Sequence, residues 1–416
     1  MRSSQGMAFV PGRAAGVVTR DVTTADGRAV LVLTQQELPG LTLRPAGLVV
    51  VDGAPFSHRM LALFRRSIPT VVLTGEQAAC LSPGTVVELD GALGVVAEPG
   101  GLPPEVVVAT PASPAGVATA DGRTVWLNAS VSDAMGAELA RRSGAGAIGL
   151  VRSELLDVGS RGLPDSAAYE AGLATLCRAA GSLSVTVRLP DFRADKRPPW
   201  LELPPEAGGV LGQQGCRLYT LADVRAVLAA AVRAVGRLAP AHRLSLLVPY
   251  VTFPDEFRHW CDWIENILSV PLPVSPMIET PVAALEMAQW LALAERPSVG
   301  CNDLMQCLFG ADRDNPRVAR WMEPYAPALY RFLALMARAA GEGLVRIQLC
   351  GLLPQLPGVL PVLVGLGYRV FSVEPLMIAP LARRIESIDV ERAERLAQSV
   401  CAAADAGGVR TLLEPA

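Results

Sequence analysis

The sequence predicts an α/β protein, a C-terminal (β/α)8 TIM barrel preceded by a small β/α domain. Three observations lead there. From about residue 120 onward, β-branched apolar runs alternate with helical stretches eight times, the pattern of a (β/α)8 barrel. The first hundred or so residues carry short, closely spaced strand segments around one helical stretch. Between the two lies EPGGLPPEVVVATPASP (98–114), whose Pro and Gly content reads as a linker. The expected division is a small domain over 1–100, a linker over 101–118 and the barrel over 119–416.

In the small domain the β-branched, apolar segments Arg28–Thr34, Gly47–Val51, Thr70–Leu73, Thr85–Leu89 and Gly94–Ala97 predict strands. Ser57–Ser67 predicts a helix, because Met60, Leu61, Leu63 and Phe64 recur at helical spacing beside Arg59, Arg65 and Arg66. In the barrel the expected strands are Val125–Ala129, Ala147–Val151, Ser184–Arg188, Leu244–Pro249, Val274–Ile278, Ser298–Val299, Val345–Leu349 and Arg369–Ser372. The helices expected between and after them are Ser132–Ser143, Ser166–Ala180, Leu221–Ala239, Pro254–Ser269, Pro281–Glu295, Pro316–Ala340, Leu356–Leu366 and Ile378–Ile385. No internal repeat or low-complexity block is evident.

Composition narrows the function classes. The formal net charge of −3 supplies no basic surplus for a nucleic-acid backbone, so no such partner is expected. No apolar run approaches the ~20 residues that span a bilayer, and Met1–Gly12 lacks the apolar stretch of a signal peptide. A cytoplasmic protein with no membrane partner is expected. The eight cysteines form no CxxC or Cys/His ligand pair, which argues against structural zinc. Histidine is scarce: His58, His242 and His259 are all there are. His259 lies in the aromatic string FRHWCDWI and reads as packing, whereas His58 opens the helix of the small domain.

The charged residues that break the barrel pattern fall just after its strands. Arg152 and Glu154 follow GAIGLV; Arg188, Asp191, Asp195 and Lys196 end or follow VTV; Glu279 follows VSPMI. Asn302 and Asp303 follow SVGC, with Asp312 and Arg313 shortly after, and Cys350 follows VRIQL. Barrel active sites sit at the C-terminal ends of the strands. Any one of these charges alone reads as a solvated loop residue. Together they deliver arginines, carboxylates and a thiol to one rim. Arginine binds phosphate and carboxylate bidentately, and a Glu and an Asp from different strands suit Mg²⁺, which keeps waters for a substrate to replace.

The strings GAGAIGLVRSELL (144–156), VTVRLPDFRADKRP (185–198), MIETPVAA (277–284), SVGCNDLMQCLFGADRDN (298–315) and LCG (349–351) resemble the phosphoenolpyruvate-binding barrel of Enzyme I of the bacterial phosphotransferase system. Pyruvate phosphate dikinase and phosphoenolpyruvate synthase share that barrel. The resemblance runs, with gaps, from about 110 to 400. It implies that Arg152, Arg188, Lys196, Asn302 and Arg313 bind the substrate, that Glu279 and Asp303 hold Mg²⁺, and that Cys350 is the acid that protonates the enolate to pyruvate. AGLVVVDGAPFSHRMLALFRRSIPTVV (46–72) resembles the swivelling phosphohistidine domain of the same family, with Met7–Val17 as its opening strand. His58 would then carry the phosphoryl group, held near backbone N–H donors at a helix start.

The sequence departs from the family at four points. The turn before the histidine reads Gly53-Ala54-Pro55-Phe56-Ser57-His58, without the second Gly and the Thr of Gly-Gly-x-Thr-Ser-His. Gln214 stands where a further substrate arginine is expected, and Leu352 where a Glu follows Cys-Gly. Residues 18–46 leave no room for the helical phosphocarrier-binding insertion, and an ATP-binding domain is absent from the pattern. The expectation is therefore a phosphoenolpyruvate-dependent phosphotransferase (a transferase of phosphorus-containing groups) that turns phosphoenolpyruvate and His58 into pyruvate and phosphohistidine, with an unidentified protein or small-molecule acceptor. Two alternatives stay open. One is a degenerate homologue acting as a sensor or assembly subunit; the other is a different enol reaction in the barrel with His58 silent. By resemblance, a homodimer is expected.

Overall fold

The computed structural model describes residues 3–104, 116–156, 162–193, 197–203, 209 and 211–414. The chain divides into two compact units. The first comprises residues 1–109 and 311–322, and the second comprises residues 110–310 and 323–416.

The first unit is one sheet with short helices. Its strands are β1 (Ser3–Gln5), β2 (Met7–Val10), β3 (Arg13–Thr19), β4 (Ala29–Thr34), β5 (Gly47–Val51), β6 (Thr70–Leu73), β7 (Val86–Asp90) and β8 (Val95–Ala97), with α1 (His58–Arg66) and α2 (Gly75–Ala78). The spatial order is β1-β8-β7-β3-β4-β5-β6-β2, parallel from β3 through β6 and antiparallel at both sides. One inner face of Val18, Val30, Val32, Val49, Val71, Leu73, Leu89 and Val96 forms its core. The single opening strand expected over Met7–Val17 is two strands. Pro11 lacks an amide hydrogen and Gly12 adopts φ 130°, so the ladder breaks and β2 and β3 join opposite parts of the sheet.

The second unit opens with the short β9 (Val117–Ala118), which pairs antiparallel with β10 (Thr124–Val131). Seven further strands follow: β11 (Ile148–Arg152), β12 (Val185–Arg188), β13 (Leu244–Val251), β14 (Val274–Ile278), β15 (Ser298–Gly300), β16 (Gln348–Cys350) and β17 (Val370–Val373). All neighbours from β10 to β17 are parallel, and β10 pairs with both β11 and β17. The sheet is closed, and the expected (β/α)8 barrel is what forms. Its helices are α3 (Ala134–Arg142), α4 (Ser166–Ala180), α5 (Ala222–Leu238), α6 (Pro254–Glu265), α7 (Pro281–Leu285), α8 (Met287–Leu293), α9 (Cys301–Phe309), α10 (Pro327–Ala340), α11 (Val359–Gly365), α12 (Ile378–Glu386), α13 (Val390–Ala402) and α14 (Ala406–Leu413). Among the described residues no helix is long and apolar enough to cross a membrane.

Inside the barrel, Leu150, Leu247, Met277 and Cys350 form an apolar layer from four different strands. A polar knot lies next to it. Gln348, two residues before Cys350 and so on the same face of β16, accepts from Asn128 Nδ2 (2.8 Å) and donates to Gly149 O (3.0 Å), Ser298 Oγ (3.1 Å) and Cys350 Sγ (3.3 Å). A buried amide must be satisfied, and here its partners come from its own strand and from β10, β11 and β15. The strand-start end holds a cavity of about 810 Å³ whose lining includes Thr186, Ser245, Ser275, Ser298 and Gln348.

Candidate functional site

In the first unit, β5 ends in a turn that leads into α1. Asp52 takes φ 48°, Ala54 N donates to Gln35 Oε1 at 2.8 Å, and Ser57 N donates to Ala54 O at 3.0 Å. Ser57 caps the helix, its Oγ accepting from Met60 N at 3.3 Å. His58 is thus the first helical residue. Its main-chain N donates to Asp314 Oδ1 (2.9 Å), and its ring Nδ1 lies 2.7 Å from Asp314 Oδ2. Arg313 Nη2 lies 2.9 Å from the other ring nitrogen, Nε2. A guanidinium only donates and a carboxylate only accepts. The arrangement therefore assigns the proton of the neutral imidazole to Nδ1 and the lone pair to Nε2. Asp314 also places a carboxylate on the exposed amides of a helix start, where negative charge is favoured.

In the second unit, the charges expected after the strands converge. Arg152, ending β11, donates to Glu374 Oε1 just past β17 (2.8 Å). Arg188, ending β12, pairs with Glu154 and with Asp191 (2.9 Å). Arg193 Nη2 lies 2.5 Å from Asp303 Oδ1 and 3.8 Å from Asp191 Oδ2. Glu279, just past β14, accepts from Tyr250 N at 2.9 Å through Oε2. Asn302 Oδ1 accepts from Leu352 N at 3.0 Å. Cys350 ends β16.

Burial sets the electrostatics. Desolvation works against the Arg188 charge, but Asp191, Glu154 and Glu279 outweigh it and hold its pKa above the ordinary value. Desolvation first, then Asp303 and Asp191, push the Glu279 carboxyl up, to about 8. Desolvation pushes the Cys350 thiol up to about 12, with the hydrogen bond from Gln348 pulling the other way.

Tyr250 carries strain at this site. It takes φ 57°, rare for a bulky residue, where the pairing of β13 with β14 shifts register between Val248 and Val251. The irregular backbone points the Tyr250 amide at Glu279. Its ring is covered by Arg217, 4.9 Å from the centroid, and its hydroxyl lies 3.4 Å from Cys307 Sγ.

The structure brings Arg152, Arg188, Glu279, Asn302, Asp303 and Cys350 to the strand ends of the barrel unit. His58 and Arg313 meet within the first unit. Gln214 is buried, and Lys196 lies outside the described residues. Sequence reasoning passed over Arg193, Asp314, Glu374 and Tyr250. Arg193 and Asp314 lay inside the quoted motifs, yet no spacing rule says that one reaches Asp303 and the other His58. Tyr250 has no sequence signal: it follows the strand expected over Leu244–Pro249, and nothing in the residue type announces a left-handed backbone.

Two carboxylates that could receive a divalent cation pass one test of fit. Among the described residues, Arg152, Arg188 and Arg193 pair with Glu374, Glu154, Asp191 and Asp303, and Glu279 lies beside Arg188 and Arg193. Glu279 Oε1 is buried and meets no hydrogen-bond partner among the described residues. A buried carboxyl oxygen without a hydrogen-bond partner suits a cation. Among the described residues no group of three His, Cys, Asp or Glu side chains is disposed to hold a metal, so the remaining ligands would be water and substrate oxygens, as hard cations accept.

Fold and site together define a (β/α)8 barrel whose strand-end rim gathers buried arginines and carboxylates. Residues 110–390 match the PEP-utilising enzyme family, PEP-binding domain, and the chain belongs to that family. It is 31% identical over 381 residues to the phosphoenolpyruvate-protein phosphotransferase of Haloferax volcanii, covering 86% of this chain and 66% of that protein. It is 29% identical over 374 residues to the protein of the same name from Bacillus sp. (strain S), covering 84% of this chain and 64% of that one. An Escherichia coli K12 protein, "Phosphoenolpyruvate-dependent phosphotransferase system", is 31% identical over 399 residues, which cover 88% of this chain and 52% of its own length. The chain thus spans from about half to just under two thirds of the length of these relatives.

Proposed function

We propose that the protein is a phosphoenolpyruvate-dependent phosphotransferase that passes the phosphoryl group to His58 Nε2. The observation that carries the reading is the fixed imidazole: Asp314 on Nδ1, and a lone pair on Nε2 facing Arg313. In the reaction the P–O bond of the enol phosphate breaks and a P–Nε2 bond forms, giving phosphohistidine. The enolate left behind takes a proton at its terminal carbon from the Cys350 thiol and becomes pyruvate. Burial keeps that thiol protonated at neutral pH, as a proton donor requires.

Arg152 and Arg188, with Lys196 and Asn302, would bind the substrate's phosphate and carboxylate, and Arg313 would attend the phosphoryl group at His58. Glu279 and Asp303 would hold Mg²⁺, which when bound neutralises charge on the phosphate oxygens. Asp314 orients the imidazole and stabilises the cation that it becomes. The acceptor beyond His58 is a protein or small molecule. The proposed organisation is a phosphohistidine domain over 1–100, a linker over 101–118 and a barrel over 119–416. A second reading, a phosphoenolpyruvate-binding homologue without turnover, draws on Gln214 and on Asp303 being paired with Arg193.

The test is incubation with ³²P-phosphoenolpyruvate and Mg²⁺. Acid-labile, base-stable label is expected, lost in His58→Ala and formed on the order of tenfold to a hundredfold more slowly in Asp314→Asn. Tight binding of phosphoenolpyruvate with no label would favour the second reading and overturn the first.

A further inference from the structure

We propose that Arg193 is a built-in counter-ion that occupies the cation position beside Asp303 and is displaced when a divalent cation binds. The inference rests on the reading of Asp303 as a metal ligand given above. Arg193 sits in the irregular segment after β12, and the backbone just before it is anchored. Leu189 N donates to Leu247 O (2.9 Å), Phe192 O accepts from Gly215 N (3.3 Å), and the buried Phe192 ring meets Trp200 edge-on at 5.2 Å. The guanidinium is delivered inward from this anchor, with 7% of its side chain exposed.

Among the described residues its ion-pair partners are carboxylates, Asp303 at 2.5 Å and Asp191 at 3.8 Å, with Glu279 also close enough to act on its charge. Asp191 already has Arg188 at 2.9 Å, so the contribution specific to Arg193 is on Asp303. A buried carboxylate needs a positive partner, and without a metal this one has Arg193. The fit is incomplete. Arg193 Nε is buried and meets no acceptor among the described residues, although a guanidinium has five donors in a fixed fork. A group seated by charge but poorly satisfied by hydrogen bonds is easily exchanged for another cation. A divalent cation on Asp303 and a guanidinium on the same carboxylate are like charges in a desolvated pocket. Binding one therefore expels the other, and cation affinity falls by what it takes to move Arg193.

The test measures Mn²⁺ binding to the full chain by electron paramagnetic resonance of the free ion. Arg193→Gln should bind Mn²⁺ at least tenfold more tightly than the unmodified protein, and Mn²⁺ should raise its melting temperature more. Asp303→Asn should abolish binding in both backgrounds. A second measurement uses the unmodified protein. Mg²⁺ should shift the Arg193 Nε–H resonance, assigned by its loss in Arg193→Lys. Unchanged or weaker Mn²⁺ binding in a folded Arg193→Gln, or an Arg193 resonance that ignores Mg²⁺, would overturn the competition while leaving Asp303 as a ligand. Mn²⁺ binding that survives Asp303→Asn would instead overturn the ligand assignment, and the proposal with it.

Discussion

Cys350 shows how far an environment can move one side chain. The thiol lies in the layer formed with Leu150, Leu247 and Met277, and burial lifts it from the ordinary 9.0 to about 12. The native state thus holds this proton more tightly than the unfolded chain does. The resulting stabilisation is fully present below pH 9 and is lost as pH rises through about 12. Since the thiolate is the nucleophile, iodoacetamide at pH 8 should label the exposed Cys80 and leave Cys350 unmodified, as read by peptide mass spectrometry. Prompt labelling of Cys350 in the folded protein would contradict the buried, protonated thiol. At this scale the sequence displayed residue types well and pairings poorly. Cys350, Glu279 and Asp303 stood out by chemistry and position after a strand. Asp314 did not, because its partner His58 is 256 positions away and no local pattern encodes such a distance.

Elements were legible where periodicity decided them and obscure where a turn did. Gly47–Val51, Thr70–Leu73, Val274–Ile278 and Ser166–Ala180 form as read. The helix expected over Pro316–Ala340 begins only at Pro327, a residue that favours the first helical position because its missing amide hydrogen costs nothing there. The helix expected over Pro281–Glu295 divides at Glu286 (φ −95°, ψ 27°). The strand expected at Val345–Leu349 starts at Gln348, because Gly341–Arg346 forms a 3-10 turn instead. The strand-to-loop corners that carry the site depend on glycine. Gly351, just past β16, takes φ 106°, and a Cβ there would lie 2.7 Å from Asn302 Oδ1. Gly351→Ala should therefore strain the backbone and push Asn302 away from Leu352 N, costing about 1–3 kcal/mol in urea unfolding. A variant as stable as the parent would show that the corner relaxes freely.

At the scale of the whole molecule, the alternation of strands and helices was enough to announce a closed parallel barrel, because few arrangements bury both faces of such strands. What alternation could not announce is that residues 311–322 leave the barrel's run of chain and complete the first unit. That discontinuity has a consequence in time. Strands β4 and β5 are joined by a short stretch of chain and can pair as soon as they are made. The partner of His58 is synthesised more than two hundred residues later. Contacts between distant positions form slowly, since loop closure must precede their reward. In pulsed hydrogen exchange during refolding, the His58 amide, which donates to Asp314, should gain protection after the amides of β4 and β5. Simultaneous protection would contradict this order. The histidine is thus cocked last: a chain still growing on the ribosome carries the imidazole long before it carries the carboxylate and guanidinium that aim it.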